Sequence, residues 1–319
     1  MSLLSLPESI LDCILKRLSA IQLITTSQVC TNLRVRCRSD DLWENLIKKK
    51  WGKVFGDAAH KEWLWHVTNS KEQVIRGNTF YYQMEIIGNG GENGSLGTFS
   101  GSWPMLCLGS YLIDSKSVLN GPLLLTNSSM MMALYISLEN GKFWFPAQVY
   151  RGLMVSSALV SYDSKTDTFR ARQQIGGWRI IGNMINWDKV RVAAIETSQQ
   201  FSDCLRPGDH VEIQWKASTE VPYDWWYAVI GHMDSCDEED QNCCACQHSE
   251  TLIVEFKQYH VESGMRKAKL RRNNIQQCEN QCGIYGGIRK LERAEEIHKW
   301  KQLFPPDYNL QTPIPVYFP

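Results

Sequence analysis

Cysteine and histidine side chains are concentrated in one polar stretch of the chain, where they could bind a metal ion. The group consists of Cys236, Cys243, Cys244, Cys246 and His248, with His232 before it and Cys278 and Cys282 after it. Cys243 and Cys246 have the Cys-x-x-Cys spacing of a zinc knuckle, and thiolate and imidazole are the usual ligands of structural zinc. The acidic residues at 237–240 fit a long exposed loop with inert thiols equally well. We expect the loop, with no metal and no cofactor needed for the overall fold, and zinc stays the alternative.

The chain carries no motif that indicates catalysis. It has no G-x-S-x-G, H-E-x-x-H or P-loop sequence, and its seven histidines are scattered without an evident acidic partner. We therefore expect a binding protein and not an enzyme.

Composition indicates an ordinary globular protein with a substantial core. A length of 319 residues is more than one typical domain. Because 34 basic residues balance 34 acidic ones, no net charge draws the chain to nucleic acid or to an anionic membrane. Twelve Trp and twelve Tyr favour strands with aromatic packing or an aromatic binding surface. We expect no membrane segment and no nucleic-acid partner.

The eleven cysteines indicate a reducing compartment. Cys13, Cys30 and Cys37 fall inside predicted helices, where a buried thiol behaves as a small apolar group. The N-terminus also lacks the basic and apolar pattern of a secretory signal. Reduced thiols persist in the cytosol and the nucleus, so we expect a cytoplasmic or nuclear protein.

Residues 3–51 predict three short helices. In the first, Ser5 and Glu8 are expected to form a capping box, with Pro7 in the first turn, where its missing N–H costs nothing. The second is expected over 22–36, and the third follows Asp40. Apolar residues recur at helical spacing in the first helix but cover two adjacent faces, more surface than so short a helix needs for its own core. This surplus predicts a binding partner.

The stretch has a recurring pattern: a Leu6-Pro7 opening, Ile10, Ile14 and Leu18, a run from Leu23 to Val29 and Cys30, and a Leu42-Trp43 finish. With this pattern it resembles an F-box, the segment by which substrate receptors dock onto the Skp-type adaptor of SCF (Skp–cullin–F-box) ubiquitin ligases. One departure is that Thr31, Asn32 and Leu33 stand where the family usually has a basic or aromatic pair. The resemblance implies that the chain contacts the adaptor, and through it a cullin. The contact residues that it implies are Leu6, Pro7, Ile10, Ile14, Leu18, Leu23, Val29, Leu42 and Trp43. An ordinary helical scaffold without an adaptor is the alternative.

After this segment the apolar pattern changes from helical spacing to short alternating runs. Helix is predicted to continue over 58–74, followed by a flexible glycine-rich loop at 88–94. Asn140 and Gly141 between apolar runs predict a β-hairpin of strands 130–138 and 142–150. Further strands are expected at 157–162, 168–172, 210–216, 225–232, 251–259 and 265–271, and a final helix at 291–304. The fold class is therefore α+β, with a three-helix N-terminal segment, a mainly antiparallel β domain and a C-terminal helix.

Three pairs of blocks indicate an internal repeat: 142–150 with 224–232, 158–163 with 252–257, and 185–191 with 285–291. The blocks resemble the strands of Agenet and Tudor-like small barrels, which implies tandem barrels. A single β-sandwich, as in the lectin-type domains attached to some F-boxes, stays open. The expected domains are 1–52 (F-box), 53–96 (helical connector and glycine-rich loop), 97–195 (first β-rich module) and 196–319 (second β-rich module with the cysteine-rich loop).

The Tudor-like resemblance implies an aromatic surface that holds a substrate cation over ring faces. The candidate residues are Trp144, Phe145, Trp215, Trp225, Trp226 and Tyr227. Since adjacent residues of a strand point to opposite faces, we expect either Trp225 or Trp226 to be exposed.

The expected function is substrate recognition within an SCF-type ubiquitin ligase of a plant. The F-box would dock the adaptor, and the β-rich region would bind a protein substrate that the sequence does not identify. The alternative is a Tudor-like or Agenet-like reader, or a lectin-like module, that works outside any ligase.

Overall fold

The architecture of the protein, seen in a computed structural model, confirms the α+β class. The structure describes residues 6–75, 130–174, 178–193, 205–216, 219, 221–233, 236, 246, 249–259, 262–271, 274–278 and 284–304. The predicted glycine-rich loop at 88–94 lies outside these ranges. Within them, no helix has both the length and the apolar character that a membrane span requires. The chain divides into two units, one of 1–147, 159–172 and 180–193 and one of 148–158, 173–179 and 194–319.

The N-terminal segment of the first unit is helical. Its helices are α1 (Glu8–Leu15), α2 (Ala20–Ser27), α3 (Thr31–Cys37), α4 (Asp40–Trp51) and α5 (Asp57–Ile75). The single second helix predicted over 22–36 is wrong, because Cys30 adopts an extended backbone (φ −158°, ψ 166°) between α2 and α3. Near the end of α2, the Thr25 and Ser27 hydroxyls donate to the carbonyls of Ile21 and Ile24. Such local bonds compete with helix continuation.

Residues 130–139 form a helix, α6 (Met130–Glu139), and the predicted strand there is wrong. Gly141 lies in the left-handed region (φ 62°) and donates its N–H to the carbonyl of Leu138. The N–H of Lys142 donates to the carbonyl of Ser137, which completes a Schellman helix end. Asn-Gly favours positive φ both in hairpin turns and after helices, so this dipeptide does not distinguish the two structures.

Helix α6 completes the core formed by α1 to α4, and we call these five helices the helical unit. The Tyr135 ring contacts the rings of Trp43 and Trp51 edge-on, at centroid distances of 5.2 and 5.0 Å. At the start of the helix, the Asp40 carboxylate accepts the Met131 N–H at 2.8 Å. Met132 is buried in the same cluster as Trp43. Because isolated short helices are marginally stable, this added apolar surface stabilises the N-terminal helices.

The strands follow in two sets with related pairing. The first set is β1 (Phe145–Arg151), β2 (Met154–Asp163), β3 (Thr168–Gln174), β4 (Trp178–Ile185) and β5 (Val190–Val192). The second is β6 (His210–Lys216), β7 (Asp224–Gly231), β8 (Thr251–Glu255), β9 (Lys267–Arg271), β10 (Asn274–Cys278) and β11 (Ile284–Lys290). Their hydrogen-bonded orders are β4-β3-β2-β1-β5 and β10-β9-β8-β7-β6-β11. Among the residues that the structure describes, the first set has no counterpart of β6, and helix α6 precedes β1 instead.

The second set closes around its own core. Strands β6 to β10 pair antiparallel in sequence order, β11 pairs with β6, and β11 also lies beside β10. Val211 and Ile213 point into this core, as the alternation of β6 predicts. The strands expected at 157–162 and 168–172 are confirmed, and they pair antiparallel with Ser161 of β2 opposite Arg170 of β3.

Strand β7 is buried on both faces. Trp226 packs into the core enclosed by β6–β11, whereas Trp225 and Tyr227 belong to a second cluster that contains Trp300 of helix α7 (Ala294–Gln302). Trp225 is 7% exposed and Trp226 is 4% exposed. The expectation that one of the two is exposed is therefore wrong. The two side chains do point to opposite faces, but α7 covers the outer one.

A buried carboxylate joins α7 to strand β6. Trp300 Nε1 donates to Glu212 Oε1 at 2.5 Å, and Arg289 Nη2 donates to Glu212 Oε2 at 2.9 Å. Glu212 is fully buried, so its charge needs both donors. The Trp300 ring also stacks on Tyr227 at a centroid distance of 5.7 Å.

Replacing Trp300 should destabilise the second unit by an amount that depends on which parts of the indole the new side chain keeps. Trp300→Ala removes the buried ring and the Glu212 donor, and should cost about 3 to 5 kcal/mol of unfolding free energy. Trp300→Phe keeps a ring and removes only the N–H, and should cost about 1 to 3 kcal/mol. Urea unfolding of the full chain measures both. Equal costs for the two variants would contradict a role for the indole N–H.

Candidate functional site

The predicted adaptor-contact residues separate into buried and exposed groups. Leu23, Leu42 and Trp43 are core residues of the helical unit, where they support its surface. Partial burial is found for Leu6, Ile14 and Leu18, and exposure for Pro7, Ile10 and Val29.

Four large apolar side chains between residues 10 and 35 are exposed to solvent. They are Ile10 (47% exposed), Ile21 (77%), Val29 (72%) and Val35 (72%), and we call them the exposed apolar set. A single exposed apolar residue is unremarkable, but several on one short segment favour a protein-binding surface. Sequence reasoning missed Ile21 and Val35. Each is an apolar residue one or two positions from a buried residue of its helix. Helical periodicity alone therefore assigns both to the edge of the core.

Ion pairs hold α3 against α1 beside this set. The Arg36 guanidinium pairs with the Glu8 carboxylate, and its Nη1 lies 3.5 Å from Asp12 Oδ1. Two helices that each carry exposed apolar residues are thereby fixed next to one another. Surface pairs of this kind contribute little to stability but do set the register of the helices.

A small cavity in the second unit is lined largely by aromatic rings. Its volume is about 30 Å³, enough for one or two water-sized groups. The Trp215 and Trp226 rings meet edge-on there at 5.5 Å, and Phe256 contacts Tyr259 and Tyr285, each at 6.4 Å. The lining residues are Trp215, Trp226, Phe256, Tyr259, Gly264, Met265, Lys267, Ala268 and Tyr285.

Two polar groups bear on what this cavity could bind. The indole N–H of Trp226 is buried and has no acceptor among the described residues, although buried indoles usually have one. Lys267 Nζ lies 3.8 Å from Glu255 Oε1, so a carboxylate offsets its charge. Burial raises the pKa of Glu255, but its hydrogen bond to Lys257 and the charges of Lys257 and Lys267 outweigh this and leave the pKa lowered. Because Glu255 offsets the charge of Lys267, the ring faces of the cavity can take a cationic or an apolar group.

Of the aromatic residues predicted to bind substrate, the structure brings Trp215 and Trp226 together. Trp225 and Tyr227 lie on the other face of β7, in the cluster covered by α7. Phe145 is fully buried and packs against Phe55 at 5.4 Å.

Trp144 takes a different environment from the rest of the predicted set. It is half-buried, with the Arg172 guanidinium 4.3 Å and that of Arg170 5.7 Å from its ring centroid. Its ring face is therefore already occupied by cations of its own chain.

Sequence reasoning missed three rings of the cavity, namely Phe256, Tyr259 and Tyr285. Phe256 and Tyr259 follow strand β8, and Tyr285 is the second residue of β11. The available signal was the repeated block at 285–291. Its similarity to 185–191 reflects a strand pattern and does not single out its aromatic residue.

Tyr227, also among the predicted residues, has a structural partner. Its hydroxyl lies 2.6 Å from His210 Nδ1, and burial raises the pKa of Tyr227 to about 12, so this hydroxyl stays protonated and can donate. Burial and the charge of Lys301 lower the pKa of His210; Lys257 acts in the same direction and Asp209 opposes it. A neutral imidazole can accept a hydrogen bond from the Tyr227 hydroxyl, whereas a protonated imidazole cannot.

The His210–Tyr227 contact should make stability depend on pH. The pKa of His210 is lower in the folded state than in the unfolded state, where it is about 6.5, so the unfolded state binds more protons as pH falls below that value. The stability that neutral His210 contributes is complete above a pH of about 6.5 and is lost as the pH falls through the lower pKa of the folded state. Unfolding free energies of wild type should fall between neutral and mildly acidic pH, and His210→Gln should show a smaller fall. The matched control is exposed His298→Gln in the same unit, which should keep the wild-type slope; identical slopes for all three proteins would contradict the assignment.

Comparison with known proteins gives matches at two levels. The family model described as F-box domain matches residues 3–45. The F-box protein At2g26850 of Arabidopsis thaliana is 40% identical to this chain over 322 aligned residues, which cover 96% of this chain and 83% of the relative. The F-box protein At2g41170 of the same plant is 39% identical over 326 residues, with 96% and 84% covered. No solved structure gives a significant match.

Proposed function

The chain belongs to the F-box protein family, and from that premise we propose that it is the substrate-recognition subunit of an SCF-type ubiquitin ligase. F-box domains generally bind Skp1-type adaptors, and F-box proteins are typically non-catalytic adaptor subunits. In the proposed arrangement the N-terminal helices dock a Skp-type adaptor, which links the protein to a cullin. The β-rich region binds the protein that is ubiquitinated.

The exposed apolar set is the observation that carries this proposal. It lies on the segment that the F-box family model matches, between residues 10 and 35. Buried Leu23, Leu42 and Trp43 hold the helices that present it. Among the predicted contact residues, we place the adaptor on Ile10 and Val29, with Pro7 and the half-buried Ile14 and Leu18 at the margin.

The proposed contribution of the protein to ubiquitination is proximity. A receptor that holds a substrate near the conjugating enzyme raises the effective concentration of its lysines, without a covalent step of its own. The domain limits expected from the sequence serve this scheme: 1–52 docks the adaptor, 53–96 connects, and 97–195 and 196–319 select the substrate. Reduced thiols are consistent with a location in the cytoplasm or the nucleus.

Charge placed in the exposed apolar set should abolish adaptor binding without unfolding the chain. Ile10 and Val35 are exposed, so the Ile10→Asp, Val35→Asp double variant should fold. Docking would bury its unpaired carboxylates, and the affinity for a purified Skp-type adaptor should fall by about 100-fold or more, equivalent to about 3 kcal/mol. Titration calorimetry measures the affinity, and circular dichroism checks the fold.

The control for this variant is Ile180→Asp, which places one such carboxylate at an exposed isoleucine outside the F-box segment. It should bind the adaptor as wild type does. Wild-type affinity in the double variant would overturn the proposed docking surface.

For the substrate, we favour the aromatic cavity around Trp215 and Trp226. Ring faces attract cations by about 0.5 to 2 kcal/mol per contact, and the small volume of the cavity suits the ammonium tip of a lysine side chain. An acceptor on the bound segment, such as a main-chain carbonyl, would satisfy the buried Trp226 N–H. The Agenet and Tudor-like resemblance of these strands supports the same location.

Removing the outermost indole of the cavity should separate binding from folding. Trp215 is only partly buried, so Trp215→Ala should cost about 1 to 2 kcal/mol of stability and abolish binding to cationic peptides. Trp144→Ala is the control, because it removes another half-buried indole whose ring face is covered by arginines. Fluorescence anisotropy with peptides of plain and methylated lysine and arginine gives the affinities. Unchanged binding by Trp215→Ala, or no binding by wild type, would exclude this cavity as a cation site.

A further inference from the structure

Three metal-binding side chains converge at the base of the connection between β7 and β8. His232 directly follows β7, and Cys246 lies shortly before β8. The ligand atoms of His232, Cys236 and Cys246 all lie within 4.8 Å of one another. These residues are far enough apart in sequence that only the folded connection brings their three side chains together.

The geometry of the group fits tetrahedral coordination. Zinc bonds of about 2.3 Å to sulfur and about 2.0 to 2.1 Å to nitrogen place neighbouring ligand atoms of a tetrahedron about 3.5 to 3.8 Å apart. Cys236 Sγ lies 3.5 Å from His232 Nδ1, which matches this spacing. The remaining separations need only a small inward movement to reach it.

The surroundings of Cys246 favour a metal-bound thiolate. Its side chain is 5% exposed, and its Sγ accepts the backbone N–H of Met233 at 3.3 Å. A backbone donor aimed at sulfur stabilises negative charge there, as hydrogen bonds to metal ligands commonly do. Two thiolates and an imidazole are soft and borderline ligands, which select zinc over magnesium or calcium.

We propose that His232, Cys236 and Cys246 bind a structural zinc ion. The proposal replaces the expectation of inert thiols, which rested on the polar sequence around them. Structural zinc is four-coordinate, and these three side chains supply three of the four positions. The inference does not depend on the ubiquitin-ligase assignment.

The ion would close the β7–β8 connection at its base. A metal clip that closes a long loop reduces the entropy lost when that loop folds. The two strands that this connection joins both bear on the lining of the aromatic cavity. Trp226 of the lining lies on β7, and Phe256 of the lining directly follows β8. The zinc site would therefore stabilise two walls of the cavity without touching its occupant.

Metal analysis of the purified full chain, kept under reducing conditions, tests the proposal. Wild type should contain about one zinc per chain. After chelation, titration with Co²⁺ should produce the absorption of tetrahedral cobalt–thiolate coordination, and added Zn²⁺ should bleach it. Cys236→Ser and Cys246→Ser should lose the zinc. The exposed Cys13→Ser variant, a cysteine of the first unit, should keep it.

Wild type that is purified without zinc and shows no cobalt–thiolate absorption would overturn the proposal. So would a Cys236–Cys246 disulfide in the reduced preparation, or full zinc content in both serine variants. If the serine variants do not fold, the cobalt titration of wild type decides alone, because its spectrum reports thiolate ligands directly.

Discussion

Burial of strand β7 on both faces is the constraint on which the second unit depends. Trp226 fills the core enclosed by β6–β11, while Trp225 and Tyr227 pack under α7. Trp300 belongs to this outer cluster and donates to the buried Glu212. An aromatic-rich strand in this position gains packing on each side, and it also fixes one wall of the aromatic cavity.

The helical unit shows the opposite balance between core and surface. Its N-terminal helices are short, and their own apolar residues cannot all face one another, so α6 supplies Met132 and Tyr135 to finish the core. What remains exposed is a separate set that includes Ile10 and Val35. The division is physically sensible for a docking segment, because residues needed for the fold are protected and residues left over are available to a partner.

The candidate sites differ in how far sequence reasoning could reach them. The F-box segment is continuous, so its family pattern is visible in the sequence, but pattern matching could not separate buried Leu23 and Trp43 from exposed Ile10. The aromatic cavity combines rings from β6, β7, the segment after β8, and β11. Strand closure brings these together, and no local spacing records that closure.

The sequence by itself determined the family, the α+β class and most strands, because helical and alternating apolar periods are local properties of the chain. It could not decide whether Asn140 and Gly141 end a helix or turn a hairpin, since both structures place glycine at positive φ. Tertiary structure settled that point, as it settled which tryptophan of β7 faces which core. It also brought Cys246 to His232 and Cys236, because only the chain's return from β7 to β8 sets the distance between them.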